Sequence, residues 1–367
     1  MSRLRVCVIF GGRSGEHEIS LRSARSVLQA LDPAKYDVLP VGITHDGRWL
    51  AGDDVLVAFE KRTTDGLVPV TFPSQPGRRE LIPLGAGGRI EDLSFDLAYP
   101  VLHGTYGEDG TIQGLFEMAD VPYVGAGVLA SSVGMDKVLF KLVMQRCGLP
   151  VVEGGVVFRS QILGSAEAAL QAAEAMSGYP LFVKPANLGS SVGVSKCRNR
   201  SSLYEGLMDA ARYDRRVLVE RGLEARELEV SVLGNADPQA SVVGEVIPGD
   251  EFYSYRAKYL DDTSELRIPA PLEPAVSDEA RLLAVECFKA IDGAGMARVD
   301  FLQERSTGKL YINEINTLPG FTSISMYPKL WLATGYTYPG LIDRLIELGL
   351  ERQAEKDALL RVYGGAG

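Results

Sequence analysis

The chain has 367 residues, enough for two or three domains, and its hydrophobic and charged fractions are those of a soluble globular protein. With 48 acids against 38 bases the net charge is −10, which argues against a nucleic-acid partner and leaves any anionic ligand to be held by local bases. Cys7, Cys147, Cys197 and Cys287 are far apart and form no CxxC pair, as expected of a reduced cytoplasmic protein, and no apolar stretch approaches the ~20 residues of a membrane span.

The opening residues lead directly into an apolar run, 4–10, that ends at Gly11-Gly12 and reads as a buried parallel strand. No signal peptide is read there. Apolar residues then return at helical spacing over 18–31, and 36–43 reads as a second strand. This β-turn-α-β order predicts an open α/β sheet with ligands gathered beyond the carboxyl ends of its strands. Residues 46–92 read as an insertion of loops and short strands, and the strand 95–102 delivers His103-Gly104 to the same end of the sheet.

Asp136 is placed to cap a helix from Lys137 to about Cys147, stopped by Gly148 and Pro150. The strand 181–184 runs into Gly189-Ser190-Ser191-Val192-Gly193, and 217–220 reads as a further strand. Several strands follow 229, then a helix over 278–291 and a closing helix over 338–350. The fold class expected is mixed α/β and α+β in three domains: 1–136, 137–228 and 229–367.

The most specific signal lies near the end. Arg298-Val299-Asp300 and the run from Tyr311 to Asn316 read as two strands around the turn Ser306-Thr307-Gly308. Paired antiparallel, they bring Asp300, Glu314 and Asn316 together, since residues i and i+2 share a face. Two carboxylates and a carboxamide are hard oxygen ligands suited to Mg²⁺ beside nucleotide phosphates. Arg298 falls on the Asp300 face, where it can neutralise charge on a transferred phosphoryl group. An ordinary solvated hairpin is the competing reading.

The loop at 189–193 is small enough for its N–H groups to wrap phosphate oxygens, although it is neither a P-loop nor a GxGxxG turn. Lys184 and Lys137 can bracket a triphosphate, the segment 217–223 can hold a purine, and Glu227 can accept from ribose hydroxyls. Each of these also fits an ordinary turn, surface lysine or loop acid.

Taken in order, the motifs resemble those of the D-alanine–D-alanine ligases of the ATP-grasp superfamily. They run from Gly11-Gly12-Arg13-Ser14-Gly15-Glu16-His17-Glu18 through His103-Gly104, Met135-Asp136-Lys137, Val183-Lys184-Pro185 and Gly189-Ser190-Ser191. They continue through Lys258-Tyr259 and Arg298-Val299-Asp300 to Asn313-Glu314-Ile315-Asn316 with Gly320, covering nearly the whole chain. The resemblance implies ATP-dependent joining of two D-alanines through an acyl phosphate, for peptidoglycan precursor synthesis. ATP and Mg²⁺, or Mn²⁺ in its place, would be the cofactors, and the protein would be a cytoplasmic homodimer with no membrane or nucleic-acid partner.

By the same resemblance Lys137, Lys184 and Ser191 would contact phosphates and Lys258 would point to the γ-phosphate. Glu220, Arg221 and Leu223 would line the adenine site, with Arg221 standing where many relatives have lysine. Glu227 would hold the ribose, and Asp300, Glu314 and Asn316 the metal. Glu16 would hold the first ammonium, linked by Ser190 and Tyr259 to a mobile loop over 250–263, and Tyr259 would favour an amine over a hydroxy acid. Arg298 and the Gly320 N–H would serve the oxyanion, and Ser325 with Met326 the second carboxylate. His103 falls near both substrates without an assigned role. Two other classes fit the sequence less well. A dinucleotide oxidoreductase lacks its GxGxxG, and a non-catalytic nucleotide module would lack the intact acidic set.

Overall fold

The computed structural model describes residues 3–85, 92–190, 192–247 and 265–360. Its first layer is a six-stranded sheet in the order β5-β4-β3-β2-β1-β6. The strands are β1 (Leu4–Gly11), β2 (Tyr36–Ile43), β3 (Trp49–Ala51), β4 (Val68–Thr71), β5 (Ile82–Pro83) and β6 (Leu97–Val101). β1 lies between β2 and β6, parallel to both. Its unbroken apolar run follows from that position, because both of its faces are covered. Val6, Val8 and Phe10 pack beneath α1 (His17–Ala30), and Cys7 and Ile9 share the opposite core with α3 (Thr111–Ala119); α2 (Val55–Glu60) flanks β2. The carboxyl ends of β1 and β6 thus set Gly11-Gly12 and His103-Gly104 side by side.

α4 (Val128–Met135) leads into α5 (Lys137–Arg146). Asp136 caps α5 by accepting from the Val138 and Leu139 N–H groups at 3.1 and 3.0 Å, the role its type and position predict. The second sheet, order β7-β10-β8-β9, is antiparallel and is built from β7 (Gly154–Phe158), β8 (Leu181–Pro185), β9 (Ser195–Cys197) and β10 (Arg216–Arg221). Helices α6 (Arg159–Gly164), α7 (Ala166–Glu174) and α8 (Arg200–Tyr213) back it.

The third sheet, order β13-β12-β11-β14-β15, comprises β11 (Ala225–Gly234), β12 (Gln239–Ile247), β13 (Glu265–Arg267), β14 (Gly295–Glu304) and β15 (Leu310–Asn316). α9 (Pro274–Ala290) and the Phe140 and Met144 side chains of α5 fill its core. α5 therefore lies between the second and third sheets, with Val138 against the former. α10 (Met326–Thr334) packs on β11 and β12.

Two placements differ from expectation. The boundary at 228 falls inside β11, since that strand begins at Ala225. The last helix, α11 (Tyr338–Asp357), is longer than read and lies against the first sheet, where Leu341, Ile342 and Leu345 join the core of β1 and α1. Its polar end is held by partners distant in sequence: Gln353 donates to Asp120 at 3.0 Å, and Lys356 to Glu117 at 2.5 Å. Those contacts were invisible to a periodicity reading. The four cysteines are free, and burial pushes the Cys7 and Cys287 thiols up, as core residues require. Among the described residues no helix is long and apolar enough to cross a membrane.

Candidate active site

A cleft of about 340 Å³ opens between the second and third sheets. Of the residues singled out from sequence, Lys137, Lys184, Ser190, Glu220, Arg221, Leu223, Glu227, Asp300 and Glu314 line it. Val152, Phe182 and Leu302 give it apolar walls fit for a planar base. The Lys137 Nζ donates to the Leu188 carbonyl at 2.7 Å and lies 3.7 Å from Glu314. The Lys184 Nζ lies 2.7 Å from Glu220 and donates to the Asn313 carboxamide oxygen at 3.2 Å.

Glu220 is 2 % exposed and carries a second cation, Lys141, on its other oxygen. Burial would raise the Glu220 carboxyl, but the two ammonium groups outweigh it and hold the group at about 2. Arg221 does not offer its side chain freely to a base. Its guanidinium is engaged by Glu153 at 3.0 Å, Glu304 at 2.9 Å and the Tyr311 hydroxyl at 3.3 Å.

The acidic hairpin forms in the expected register, with Asp300 opposite Glu314 and Arg298 opposite Asn316. The pairing then shifts, so that Phe301 faces Ile312 and Asn313 is the extra residue of a bulge. That bulge lets consecutive side chains, Asn313 and Glu314, both line the cleft, while Val299, Phe301 and Ile315 point into the core. Arg298 lies on the Asp300 face, but its charge is already engaged there. It forks onto Asp300 with two hydrogen bonds of 2.6 Å and lies 2.9 Å from Glu229. Burial opposes the Arg298 charge, but Asp300 and Glu229 hold it more firmly cationic.

Asn316 donates to Asp300 at 3.2 Å. Among the described residues no three His, Cys, Asp or Glu side chains form a cation cage. The candidate set is therefore two carboxylates and one carboxamide. These are oxygen donors of the right hardness for Mg²⁺, which fills its remaining positions with phosphate oxygens and water. They fit the ion, provided that Arg298 yields Asp300 to it.

At the substrate end, the Glu16 carboxylate accepts from the Ser190 hydroxyl, the link the motifs implied. The two residues line a recess of about 50 Å³ with Gly104 and Gly189. Glycine is needed at 104: φ is +73°, and a Cβ there would stand 2.6 Å from Glu16 Oε2. Ser190 itself adopts a left-handed φ of 54°, a strained conformation of the kind functional turns retain.

His103 now has a role. Its Nδ1 faces the Leu318 carbonyl at 3.1 Å and so must donate, which leaves Nε2 to accept from the Ser23 hydroxyl at 2.9 Å. Burial lowers its pKa against the pull of Glu16, so the ring stays neutral. Ser23 also accepts from the Phe321 N–H at 3.2 Å. The pair thereby clamps the turn that carries Gly320. Gly320 abuts Ser325, whose hydroxyl accepts from the Thr322 N–H at 3.0 Å. The Met326 side chain is buried against Val246 and Leu330, which leaves its main chain to meet a ligand. Ser191, Lys258, Tyr259 and the 250–263 segment lie outside the described residues.

Two acid–base residues were not singled out from sequence. Lys141 falls one helical turn after Lys137, and a lysine on the apolar face marked by Val138 and Met144 was a usable signal. Glu108, which accepts from the Gly104 N–H at 3.0 Å, has its carboxyl pushed well up by burial and by Glu16. Its place within the His103–Gly110 turn gave no comparable cue.

An open α/β layer beside two antiparallel sheets that close on a lysine-lined, carboxylate-edged cleft defines an ATP-grasp ligase. Comparison with known proteins makes this particular. The family models "D-ala D-ala ligase N-terminus" and "D-ala D-ala ligase C-terminus" match residues 5–126 and 143–347. The D-alanine--D-alanine ligase of Heliobacterium modesticaldum is 50% identical over 359 residues, covering 97% of each chain. That of Acetivibrio thermocellus is 48% identical, covering 95% of this chain and 96% of its own. Among solved structures, the D-alanine-D-alanine ligase from Coxiella burnetii superposes with a TM-score of 0.85 at 36% identity, covering 97% of both chains. The VanG D-Ala:D-Ser ligase from Enterococcus faecalis gives 0.84 at 33% identity, covering 95% of this chain and all of that one. The chain belongs to the D-alanine–D-alanine ligase family, whose members are ADP-forming ligases of cell-wall synthesis.

Proposed function

We propose that the protein joins two D-alanines at the expense of ATP, supplying D-alanyl-D-alanine for peptidoglycan, and that it works as a cytoplasmic homodimer. The observation that carries this reading is the continuity of the site. The cleft with Lys137, Lys184 and the Asp300/Glu314 pair meets the Glu16–Ser190 recess at Gly189 and Ser190, which line both. A nucleotide in the first thus ends beside an amino acid in the second.

A free carboxylate is a poor acyl donor, because oxide would have to leave. In the proposed reaction Glu16 holds the ammonium of the first D-alanine and aims its carboxylate at the γ-phosphate. Lys137 and Lys184, which Lys258 would join, neutralise the phosphates, and Ser191 would donate a hydrogen bond to them, as one carboxylate oxygen bonds to phosphorus and ADP departs. Mg²⁺ or Mn²⁺ held by Asp300, Glu314 and Asn316 would supply Lewis-acid neutralisation of the phosphate oxygens.

The second D-alanine, its carboxylate on Ser325 and the Met326 main chain, then attacks the acyl carbon as a free amine. The oxyanion meets the Gly320 N–H and Arg298, which is released from Asp300 for the purpose. Phosphate leaves with the carboxylate's oxygen and takes up the proton that the amine gives up, and a peptide bond remains. Leu223 and the main chain near Arg221 would hold the adenine with Glu220, Glu227 would hold the ribose, and Tyr259 would favour the amine over a hydroxy acid. The test is product identification by mass spectrometry with ATP, Mg²⁺ and D-alanine, L-alanine, D-serine or D-lactate. D-Alanyl-D-alanine as the main product supports the reading; a mixed or absent product from D-alanine refutes it.

A further inference from the structure

Lys141 is a buried cation that the reaction above does not use. It is absent from the lining of the cleft, yet its Nζ lies on Glu220 Oε1 while Lys184 lies 2.7 Å from Oε2. The side chains of Lys141 and Glu220 are 7% and 3% exposed. The sequence brings them together in two ways. Glu220 and Leu218 share one face of β10, and Leu218 pairs across the sheet with Lys184. α5 packs on this region through Val138, and Lys141 follows one turn later.

Two ammonium groups on one carboxylate leave these three side chains with a net charge of +1 at the wall of the cleft, where the burial of Lys141 and Glu220 weakens screening. With Lys141 removed, Glu220 would have Lys184 as its only ammonium, and the pair would sum to zero. A neutralised Lys184 attracts phosphate weakly.

We propose that Lys141 is a positioning residue for the nucleotide: by offsetting the charge of Glu220, it keeps the charge of Lys184 available to the phosphates. This rests on the reading of the cleft as the ATP site. It distinguishes Lys141 from a cation that only fastens α5 to the sheet.

The experiment is steady-state kinetics and calorimetric ATP binding for wild type and Lys141→Met, with adenosine as a competitor that carries no phosphate. The expected result is a KM for ATP raised on the order of tenfold, the worth of one charge-assisted hydrogen bond. kcat should stay within about twofold, and the KM for D-alanine and the inhibition by adenosine should not change. An unchanged KM for ATP in a folded but less stable variant overturns the proposal. So does an equal loss for ATP and adenosine, which marks a collapsed site. Should Lys141→Met not fold, Lys141→Gln, which removes the charge and keeps a donor, carries the same test. Failure of the wild type to bind ATP would instead refute the reading of the cleft.

Discussion

The Glu220 carboxylate should be a measurable source of stability with a defined pH signature. Its ordinary value of 4.5 is lowered to about 2, with Lys141 and Lys184 overcoming the effect of burial. At 1.36 kcal/mol for each factor of ten, that difference corresponds to about 3 kcal/mol of folding free energy at pH 7. The sign follows from linkage. The folded-state value is depressed, so the contribution is complete above about pH 4.5 and is lost as pH falls toward 2. At pH 3 it should have dropped to about 1 kcal/mol. Glu220→Gln, followed by urea unfolding at pH 7, 4 and 3, measures it. The variant should be the less stable by about 3 kcal/mol at pH 7, with the gap narrowing steadily on acidification. A gap independent of pH, or a variant as stable as the wild type at pH 7, would refute the argument.

Two further substitutions probe the substrate end. Gly104→Ala places a methyl group 2.6 Å from Glu16 Oε2 at a φ of +73°. It should cost about 1 kcal/mol in stability and raise the KM for D-alanine more than tenfold while leaving that for ATP alone, as read by initial rates. Ser23→Ala removes the hydroxyl shared by His103 and the Phe321 N–H. It should cost about 1–3 kcal/mol in thermal or chemical unfolding and lower kcat through the Gly320 turn; unchanged kcat would detach His103 from the oxyanion site.

Legibility in the sequence followed the range of the interactions. The hairpin could be read because its turn, alternation and acids are all local. The bulge at Asn313 could not, since a shift of register is decided by packing between sheets. Asp136 is legible as a cap by type and position, but Lys141 shows only as a lysine on an apolar helix face, because its partner, Glu220, lies on another element. Arg298 was placed on the correct face, yet its fork onto Asp300 reflects a balance of nearby charges that motif matching does not weigh. The last helix was legible in its apolar half alone. Its polar end is held by Asp120 and Glu117, more than 200 residues earlier.

The central claim is that the site transfers ATP's terminal phosphoryl group to a D-alanine carboxylate before the peptide bond forms. D-Alanine carrying ¹⁸O in both carboxylate oxygens, turned over with ATP and Mg²⁺, tests it directly. One labelled oxygen should appear in inorganic phosphate for each dipeptide made. Dipeptide formed with unlabelled phosphate, or ADP released without dipeptide, would contradict the account.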